Sequence, residues 1–139
     1  MNHWGDLARE HGALFITLQE SHLHTGVLDA EINIPEYNSH RTDRTCRKNG
    51  GVITYIRKDI AVKKELSHSN SFCEISAQNI PKMRLCLINI YRPPNCTTIH
   101  FQETLGLMKT FLQEVDDEEG MPSIILTGDL NLPSIRDWS

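Results

Sequence analysis

The second half of the chain contains a strand-length run whose central part, Leu85 to Ile88, is apolar on both faces. Residues Met83 to Tyr91 read Met-Arg-Leu-Cys-Leu-Ile-Asn-Ile-Tyr, and a strand with two apolar faces is typical of the interior of a layered fold. Phe72 to Ile80 precedes it across a turn at Pro81-Lys82, so the two segments are predicted to pair as antiparallel strands. Pro93-Pro94 ends the second strand. The rest of the chain must therefore cover this pair from both sides.

A predicted amphipathic helix follows the strand pair. Its apolar stripe recurs at spacings of three and four and consists of Phe101, Leu105, Leu107, Met108, Phe111, Leu112 and Val115. The acidic run Asp116 to Glu119 lies against the negative end of the helix dipole, so we expect the helix to fray there, before Gly120. A shorter helix is predicted over residues 2–11, closed by Gly12.

Three further strands and one long polar segment complete the predicted organisation. Apolar runs predict strands at Ala13 to Leu18, at Val52 to Arg57 and, as a buried strand, at Ile124 to Thr127. Residues 21–50 are polar and read as loop. Mixed strand and helix order with one adjacent strand pair favours a layered α/β sandwich over a doubly wound sheet. The 139 residues fit a single domain, 1–139.

Composition narrows the function classes. A net charge of −4 argues against a basic nucleic-acid coat protein, although it is compatible with an enzyme that acts on phosphodiesters through a metal ion. No apolar run reaches the length of a membrane span, and no secretory signal is visible. The four cysteines have no Cys-x-x-Cys spacing, which favours a reduced, intracellular protein over a zinc site or a disulfide scaffold; they are Cys46, Cys73, Cys86 and Cys96.

Two polar clusters have both a functional and a structural interpretation. Glu20, His22 and His24 could form a transition-metal site, but a polar loop after a strand is the simpler interpretation because no second ligand cluster accompanies them. A basic patch could line a DNA backbone, while a solvated loop face explains it equally well; its members are Arg41, Arg44, Arg47 and Lys48.

Polar residues follow three of the predicted strands. Glu20 follows the first strand and is expected to share a face with Ile16 and Leu18, Tyr91 ends the long interior strand, and Gly128-Asp-Leu-Asn131 ends the last one. Strand alternation predicts that Asp129 and Asn131 point to one side and Leu130 to the other. Gly-Asp-x-Asn alone is a common turn signal. Its combination with a Glu and a Tyr at other strand ends is specific, and it suits phosphate chemistry.

These residues resemble a known family. Leu18-Gln-Glu-Ser-His22, Gly50-Gly-Val52, Asn89-Ile-Tyr-Arg-Pro-Pro94 and Gly128-Asp-Leu-Asn131 resemble the ordered motifs of the endonuclease/exonuclease/phosphatase superfamily. More narrowly, Arg41-Thr-Asp-Arg44 and the stretch from Gly128 to Trp138 resemble the apurinic-type endonuclease domain of non-LTR retrotransposon polyproteins, which also carry a reverse transcriptase.

The resemblance implies a set of residue roles. Glu20 would bind Mg²⁺, with Mn²⁺ as an alternative, and Tyr91 would contact the scissile phosphate. Asp129 would position or deprotonate the attacking water, and Asn131 would orient the phosphate or that water. The implied reaction is metal-assisted hydrolysis of a DNA phosphodiester by a DNA-nicking endonuclease. The implied partner is DNA, with no membrane and no obligate protein partner, and the implied location is nuclear.

The chain also departs from the family pattern. The family's first strand and its closing Ser-Asp-His motif have no counterpart here, which implies a partial domain with impaired activity. The implied fold is therefore a partial α/β-β/α sandwich. Two alternatives remain open: another phosphoesterase of the superfamily, and a catalytically inactive remnant that acts as a binding protein.

Overall fold

The computed structural model describes residues 3–19, 26–44, 51–70, 73–94 and 96–131. Three α-helices lie in these ranges: α1 (His3–His11), α2 (Asp29–Ile32) and α3 (Thr98–Glu119). The strands are β1 (Phe15–Gln19), β2 (Tyr37–Thr42), β3 (Val52–Arg57), β4 (Lys64–Ser69), β5 (Glu74–Ile80), β6 (Leu85–Tyr91) and β7 (Ser123–Asp129). Within the described ranges, no helix is long and apolar enough to cross a membrane.

The strands form two sheets that pack face to face. One sheet has the order β1-β3-β2 and is antiparallel throughout. The other has the order β4-β5-β6-β7, in which β6 and β7 are parallel and the remaining pairs antiparallel. The parallel pair needs a crossover connection, which α3 provides. The predicted layered α/β sandwich is confirmed.

Three apolar clusters separate the four layers. Between α1 and the first sheet lie Ala8, Ile34, Tyr37, Ile53 and Tyr55. Between the two sheets lie Ile56, Ile80, Leu85 and Leu87. Between the second sheet and α3 lie Ile75, Ala77, Cys86, Ile88, Ile90, Phe111 and Val115. Alternation along β5 and β6 sends successive side chains to the second and the third of these clusters.

The predicted central hairpin is confirmed. β5 and β6 pair antiparallel from Glu74 opposite Tyr91 to Ile80 opposite Leu85, and a 3₁₀ turn over Pro81–Met83 joins them. Every residue of both strands is buried. Arg84 closes the turn in the left-handed region, with a φ of 49°. The two strands therefore form the interior of the fold, as their sequence predicts.

The prediction of a buried last strand is wrong in one respect. β7 forms where expected, but Ile124, Ile125 and Leu126 are 47%, 37% and 51% exposed. The reason is position, because β7 lies at the edge of its sheet and, among the described strands, pairs only with β6. An apolar run predicts a strand, but its neighbours decide how deeply that strand is buried.

The prediction that α3 frays at its acidic end is also wrong. The helix continues through Glu119, and Gly120 caps it by donating its N–H to the Asp116 carbonyl at 2.8 Å. Two lysines of the β4 region offset the unfavourable charges: Lys63 Nζ lies 2.8 Å from a Glu119 oxygen, and Lys64 Nζ lies 2.8 Å from a Glu114 oxygen. These ion pairs join elements distant in sequence, so local charge patterning does not predict them.

The polar segment 21–50 contains more structure than the loop prediction allowed. The described part, residues 26–44, includes the short helix α2 and the edge strand β2. β2 lacks an apolar run because only its two end residues, Tyr37 and Thr42, are buried. The edge strand β4 is likewise polar, and it pairs along its whole length with β5. Both strands form because a neighbouring interior strand offers a complete hydrogen-bonding edge.

Candidate active site

Three side chains form a row across the strand ends of the second sheet. Glu74 of β5 pairs with Tyr91 of β6, and Tyr91 pairs with Asp129 of β7. Directly paired residues share a face of a sheet, and this face is the one that packs on the other sheet. Glu74 is fully buried, Tyr91 is 3% exposed and Asp129 is exposed. The row thus leads from the protein interior to solvent and joins two of the predicted catalytic residues, Tyr91 and Asp129.

The next row inward contains a buried carboxamide that connects the two sheets. Asn89 is fully buried, and its Nδ2 donates to the carbonyls of Leu18 and Ile53 at 3.2 and 3.1 Å. Its Oδ1 accepts a hydrogen bond from Gln19 Nε2 at 2.8 Å. Gln19 is the last residue of β1, so Asn89 fixes the end of that strand one row from Tyr91. The prediction that Asn89 and Tyr91 share a face is confirmed.

Glu74 anchors the first sheet at the same end. The backbone N–H of Gly51 donates a hydrogen bond to Glu74 Oε1. Gly51 precedes β3 and has a φ of 86°, a conformation that favours glycine. The Gly-Gly motif therefore places a backbone donor on a buried carboxylate next to Tyr91. Sequence analysis did not assign a role to Glu74; an acidic residue opening a buried strand was the available signal.

The predicted side-chain alternation beyond β7 is wrong for Asn131 but holds for Leu130. β7 ends at Asp129, and Asn131 has a φ of 42°, so the chain turns instead of continuing as a strand. The backbone N–H of Asn131 donates to Asp129 Oδ1 at 3.2 Å, which closes an Asx turn. Leu130 packs against the cluster beneath α3. The turn brings the Asn131 backbone to the Asp129 carboxylate, so the two predicted residues are held together locally.

Arg92 ties this turn to the end of β6. Its backbone N–H donates to the Asp129 carbonyl at 2.8 Å, and its carbonyl accepts from Asn131 Nδ2 at 2.7 Å. Its guanidinium donates to the Cys96 carbonyl at 3.0 Å, and to the Leu130 carbonyl at 3.5 Å.

The Arg92 guanidinium is a buried cation that no anion neutralises within the described chain. Arg92 is 9% exposed, and its guanidinium carbon lies 4.9 Å from the centroid of the Phe101 ring. Its contacts are carbonyls and this ring, and the buried Nε has no hydrogen-bond partner there. Sequence analysis gave Arg92 no role, although the arginine between Tyr91 and Pro93 was visible in the motif.

Gly128 is required by a close approach of two backbones. It lies within β7 with a φ of 148°, and a Cβ at this position would collide with the backbone carbonyl of Ile90 on the neighbouring strand. The motif glycine therefore lets β7 approach β6 beside Tyr91 and Asp129.

Several predicted site residues lie outside the described residues. These are Glu20, His22, His24, Arg47 and Lys48. Ile16 and Leu18, which were expected to share a face with Glu20, pack against the cluster beneath α1. In the described ranges, no group of three or more His, Cys, Asp or Glu side chains could hold a metal ion.

The basic patch is partly neutralised within the protein. The guanidinium of Arg41 contacts both Asp43 oxygens at 2.8 and 2.9 Å and Asp29 Oδ1 at 3.0 Å. The hydrogen bond to Asp43 raises the pKa of Arg41. Since Arg41 is held by two carboxylates of its own chain, it fits a structural role at the edge of the first sheet better than a DNA-backbone contact.

Comparisons with known proteins identify the architecture. An endonuclease/exonuclease/phosphatase family protein from Bacteroides thetaiotaomicron matches with a TM-score of 0.63 and 15% identity, over 92% of this chain and 52% of that chain. A mannosyl-6-phosphatase of the same organism matches with a TM-score of 0.62 and 16% identity, over 94% and 55%. TDP2 from Caenorhabditis elegans matches with a TM-score of 0.56 and 15% identity, over 93% and 41%.

Sequence comparison adds no relative to these structural ones. No protein-family model matches the chain, and no curated protein matches it. The chain spans about half the length of the solved structures it resembles. What these likenesses share is the arrangement of two packed sheets with flanking helices: the chain has the fold of the endonuclease/exonuclease/phosphatase proteins, in partial form.

Proposed function

We propose that this chain is a phosphodiester hydrolase whose site lies at the Tyr91–Asp129 end of the two packed sheets. The observation that carries the proposal is the direct pairing of Tyr91 with Asp129, with Asn131 turned back beside them. A phenol, a carboxylate and a carboxamide at one sheet edge can contact a phosphate and a water together. The four motifs in family order and the shared fold support the same chemistry.

Asp129 would act on the attacking water. Its carboxylate is exposed, and it already accepts one hydrogen bond from the Asn131 backbone, so its orientation is fixed before a ligand arrives. A fixed carboxylate can accept a proton from water and hold that water for in-line attack on phosphorus. Tyr91 pairs with Asp129, which supports a role in which its hydroxyl would contact a non-bridging phosphate oxygen.

Arg92 and Asn89 would act by positioning other parts of the site. Arg92 holds both ends of the Asp129–Asn131 turn through backbone and side-chain hydrogen bonds. Its positive charge has no anionic partner among the described residues, which makes the site favourable for a phosphate anion. Asn89 keeps the end of β1 at this site through Gln19.

A magnesium ion would complete the site. Mg²⁺ takes oxygen ligands, keeps several waters and needs one or two carboxylates from a protein, which fits the donors this chain offers. We assign Glu20, on the sequence resemblance, as the ligand that would hold it. If bound there, Mg²⁺ would supply charge stabilisation at the phosphoryl oxygens and the leaving group.

DNA is the proposed substrate, and a retroelement endonuclease is the proposed source of the domain. The support is the sequence resemblance of Arg41-Thr-Asp-Arg44 and of the stretch that begins at Gly128. A phosphomonoesterase is the second candidate, because one of the proteins that share the fold is a mannosyl-6-phosphatase.

Supercoiled-plasmid nicking tests this proposal. The purified chain is assayed in Mg²⁺ and in EDTA, beside Asp129→Asn and the control Asp117→Asn, an exposed carboxylate on α3. We expect weak nicking that requires Mg²⁺, survives Asp117→Asn and falls at least about 100-fold in Asp129→Asn. Nicking that persists in EDTA or in Asp129→Asn would contradict the proposal. Hydrolysis of p-nitrophenyl phosphate without nicking would favour the second candidate.

Calorimetry tests the metal assignment separately. Mg²⁺ is titrated into the wild-type chain, into Glu20→Gln and into the control Glu10→Gln, an exposed position on α1. Loss of binding in Glu20→Gln alone is the expected result. Unchanged binding in that variant would show that Glu20 is not the ligand.

A further inference from the structure

Two cysteines outside the proposed chemistry lie in direct contact. Cys73 directly precedes β5, and Cys96 lies shortly before α3. Their sulfur atoms are 3.5 Å apart, and the residues are 0% and 6% exposed. They are separated by 23 positions in sequence, so their approach is a product of the fold and not of a local motif.

The backbone on both sides of the pair is fixed. The Cys73 N–H donates to Asn70 Oδ1 at 2.7 Å, and the Cys73 carbonyl accepts from the Asn70 N–H at 3.0 Å. The Cys96 N–H donates to the Pro93 carbonyl at 3.1 Å, while the Cys96 carbonyl accepts from Arg92. Because four hydrogen bonds position the two backbones, the sulfurs are held opposite each other.

We propose that Cys73 and Cys96 form a dithiol pair that a small hydroperoxide converts to an intramolecular disulfide. A disulfide needs its sulfurs about 2.05 Å apart, so the contact at 3.5 Å must shorten by roughly 1.5 Å. Side-chain rotations at the two cysteines can change the distance between their sulfurs by this amount. The inference rests on this geometry and is independent of the proposed hydrolase function.

The reaction balances with hydrogen peroxide as the oxidant. The more exposed Cys96 thiolate attacks one peroxide oxygen, the O–O bond breaks, and a sulfenic acid and one water result after proton transfer. The Cys73 thiolate then attacks the sulfenic sulfur, the S–O bond breaks, and the hydroxide leaves as a second water. Two thiols and one peroxide thus give one disulfide and two waters.

Cys86 provides a contrast within the same protein. It is fully buried against α3, and burial raises the pKa of its thiol to about 11. Its sulfur lies 3.6 Å from Asn79 Oδ1, and no described cysteine contacts it. A thiol that resists ionisation is a poor nucleophile towards peroxide, so Cys86 serves as the internal control.

The crosslink would act on the neighbourhood of the proposed site. Cys73 directly precedes Glu74, and the Cys96 carbonyl accepts a hydrogen bond from the Arg92 guanidinium. A disulfide would therefore fix the loop whose Cys96 carbonyl accepts the hydrogen bond from Arg92. It would also close a loop containing the whole β5–β6 hairpin, which restricts the unfolded chain.

Peptide mapping of the full chain tests the proposal. The reduced protein is treated with equimolar hydrogen peroxide, remaining thiols are alkylated in denaturant, and trypsin releases residues 65–82 with Cys73 and residues 85–109 with Cys86 and Cys96. We expect these two peptides to be crosslinked, with fragmentation locating the bond at Cys96 and alkylation at Cys86. The same crosslink is expected in Cys86→Ala and is absent from Cys73→Ala and Cys96→Ala.

A thermal readout accompanies the map. Oxidation is expected to raise the Tm by about 5 °C or more, reversibly with dithiothreitol, in the wild type and in Cys86→Ala only. A bond to Cys86 or Cys46, equal alkylation of all four cysteines, or sulfinic acid at Cys96 without a crosslink would each overturn the proposal. The wild-type map alone decides between these outcomes if a variant does not fold.

Discussion

The two ends of the interface between the sheets are built differently. At one end, Ile56, Ile80 and Leu87 form an apolar cluster, and the side chain paired with Leu87 is the buried Gln78. At the other end lie Asn89, one row from Leu87 along β6, and the paired side chains Glu74, Tyr91 and Asp129, two rows from it. The same two sheets thus have a packing end and a polar end.

The difference shows how this fold separates stability from chemistry. Burial at the apolar end requires only shape and hydrophobicity, whereas every buried polar group at the other end needs a specific partner. Asn89 meets this requirement with bonds to two strands of the opposite sheet, and one carboxylate oxygen of Glu74, Oε1, meets it at Gly51. The polar end is consequently fixed in detail, as a site that must hold a phosphate and a water requires.

Truncation at the apolar end should have the largest effect on stability. Leu87 is fully buried, so Leu87→Ala is expected to lower the free energy of unfolding by about 3 kcal/mol through lost transfer energy and a residual cavity. Urea titration measures this change, with the exposed Met83→Ala as the control. Activity per folded molecule should not change; a loss of nicking in the folded fraction would show that the two ends are not separate.

Replacement of the carboxamide that bridges the sheets should affect both ends. Asn89→Leu preserves volume but removes the partner of two buried carbonyls and of Gln19, so we expect a loss of about 2 kcal/mol together with at least about tenfold slower nicking. Asn38→Leu, at an exposed position of β2, is the control. If Asn89→Leu lost stability but nicked normally, the anchoring of β1 would be irrelevant to the site.

Arg92 should affect the polar end with a smaller cost in stability. Arg92→Lys retains the charge but loses the planar group that reaches two carbonyls, and we expect about 1 kcal/mol of destabilisation with a roughly tenfold fall in kcat and little change in KM. Amide exchange at Asn131 should quicken at the same time. Arg84→Lys, at the opposite end of β6, is the control. A change confined to KM would indicate direct substrate contact instead of positioning.

The smallest effect is expected at the acidic end of α3. The hydrogen bond from Lys63 lowers the pKa of Glu119 below its ordinary 4.5. Since the pKa of Glu119 is lower in the folded state, the stabilisation by the Lys63–Glu119 pair is fully present above the unfolded pKa. It is lost as pH falls through the folded pKa. Lys63→Met should therefore lower the Tm by about 1–2 °C at pH 7 and by less near pH 3. Lys82→Met should show no such pH dependence; equal shifts at both pH values would contradict the assignment.

Local sequence patterns were sufficient for part of the fold. β3, the β5–β6 hairpin and the body of α3 appear as predicted, because their apolar periodicity matches the surfaces they bury. The edge strands β2 and β4 were missed because they carry little apolar sequence of their own. Pairing with an interior neighbour stabilises them instead. The exposure of β7 and the continuation of α3 also depend on residues distant in sequence.

The candidate site divides in the same way. Tyr91 and Asp129 were predicted as strand-end residues. Their direct pairing depends on the register between β6 and β7, which side-chain alternation within one strand does not predict. Gly-Asp-x-Asn was recognised as a turn signal, but the side-chain directions were predicted by extending strand alternation through Asn131, so the Asx turn there was missed. Arg92 and Glu74 were missed because their roles consist of hydrogen bonds to backbone groups of other segments, which leave little trace in sequence.

A double-mutant cycle on Tyr91 and Asp129 tests the central claim most directly. Mg²⁺-dependent nicking rates are measured for the wild type, Tyr91→Phe, Asp129→Asn and the double variant, each at equal folded concentration. If the paired residues act on one phosphate and one water, the double variant should be scarcely slower than the slower single variant. If the two losses multiply, or if neither variant is slower than the wild type, the proposed site is contradicted.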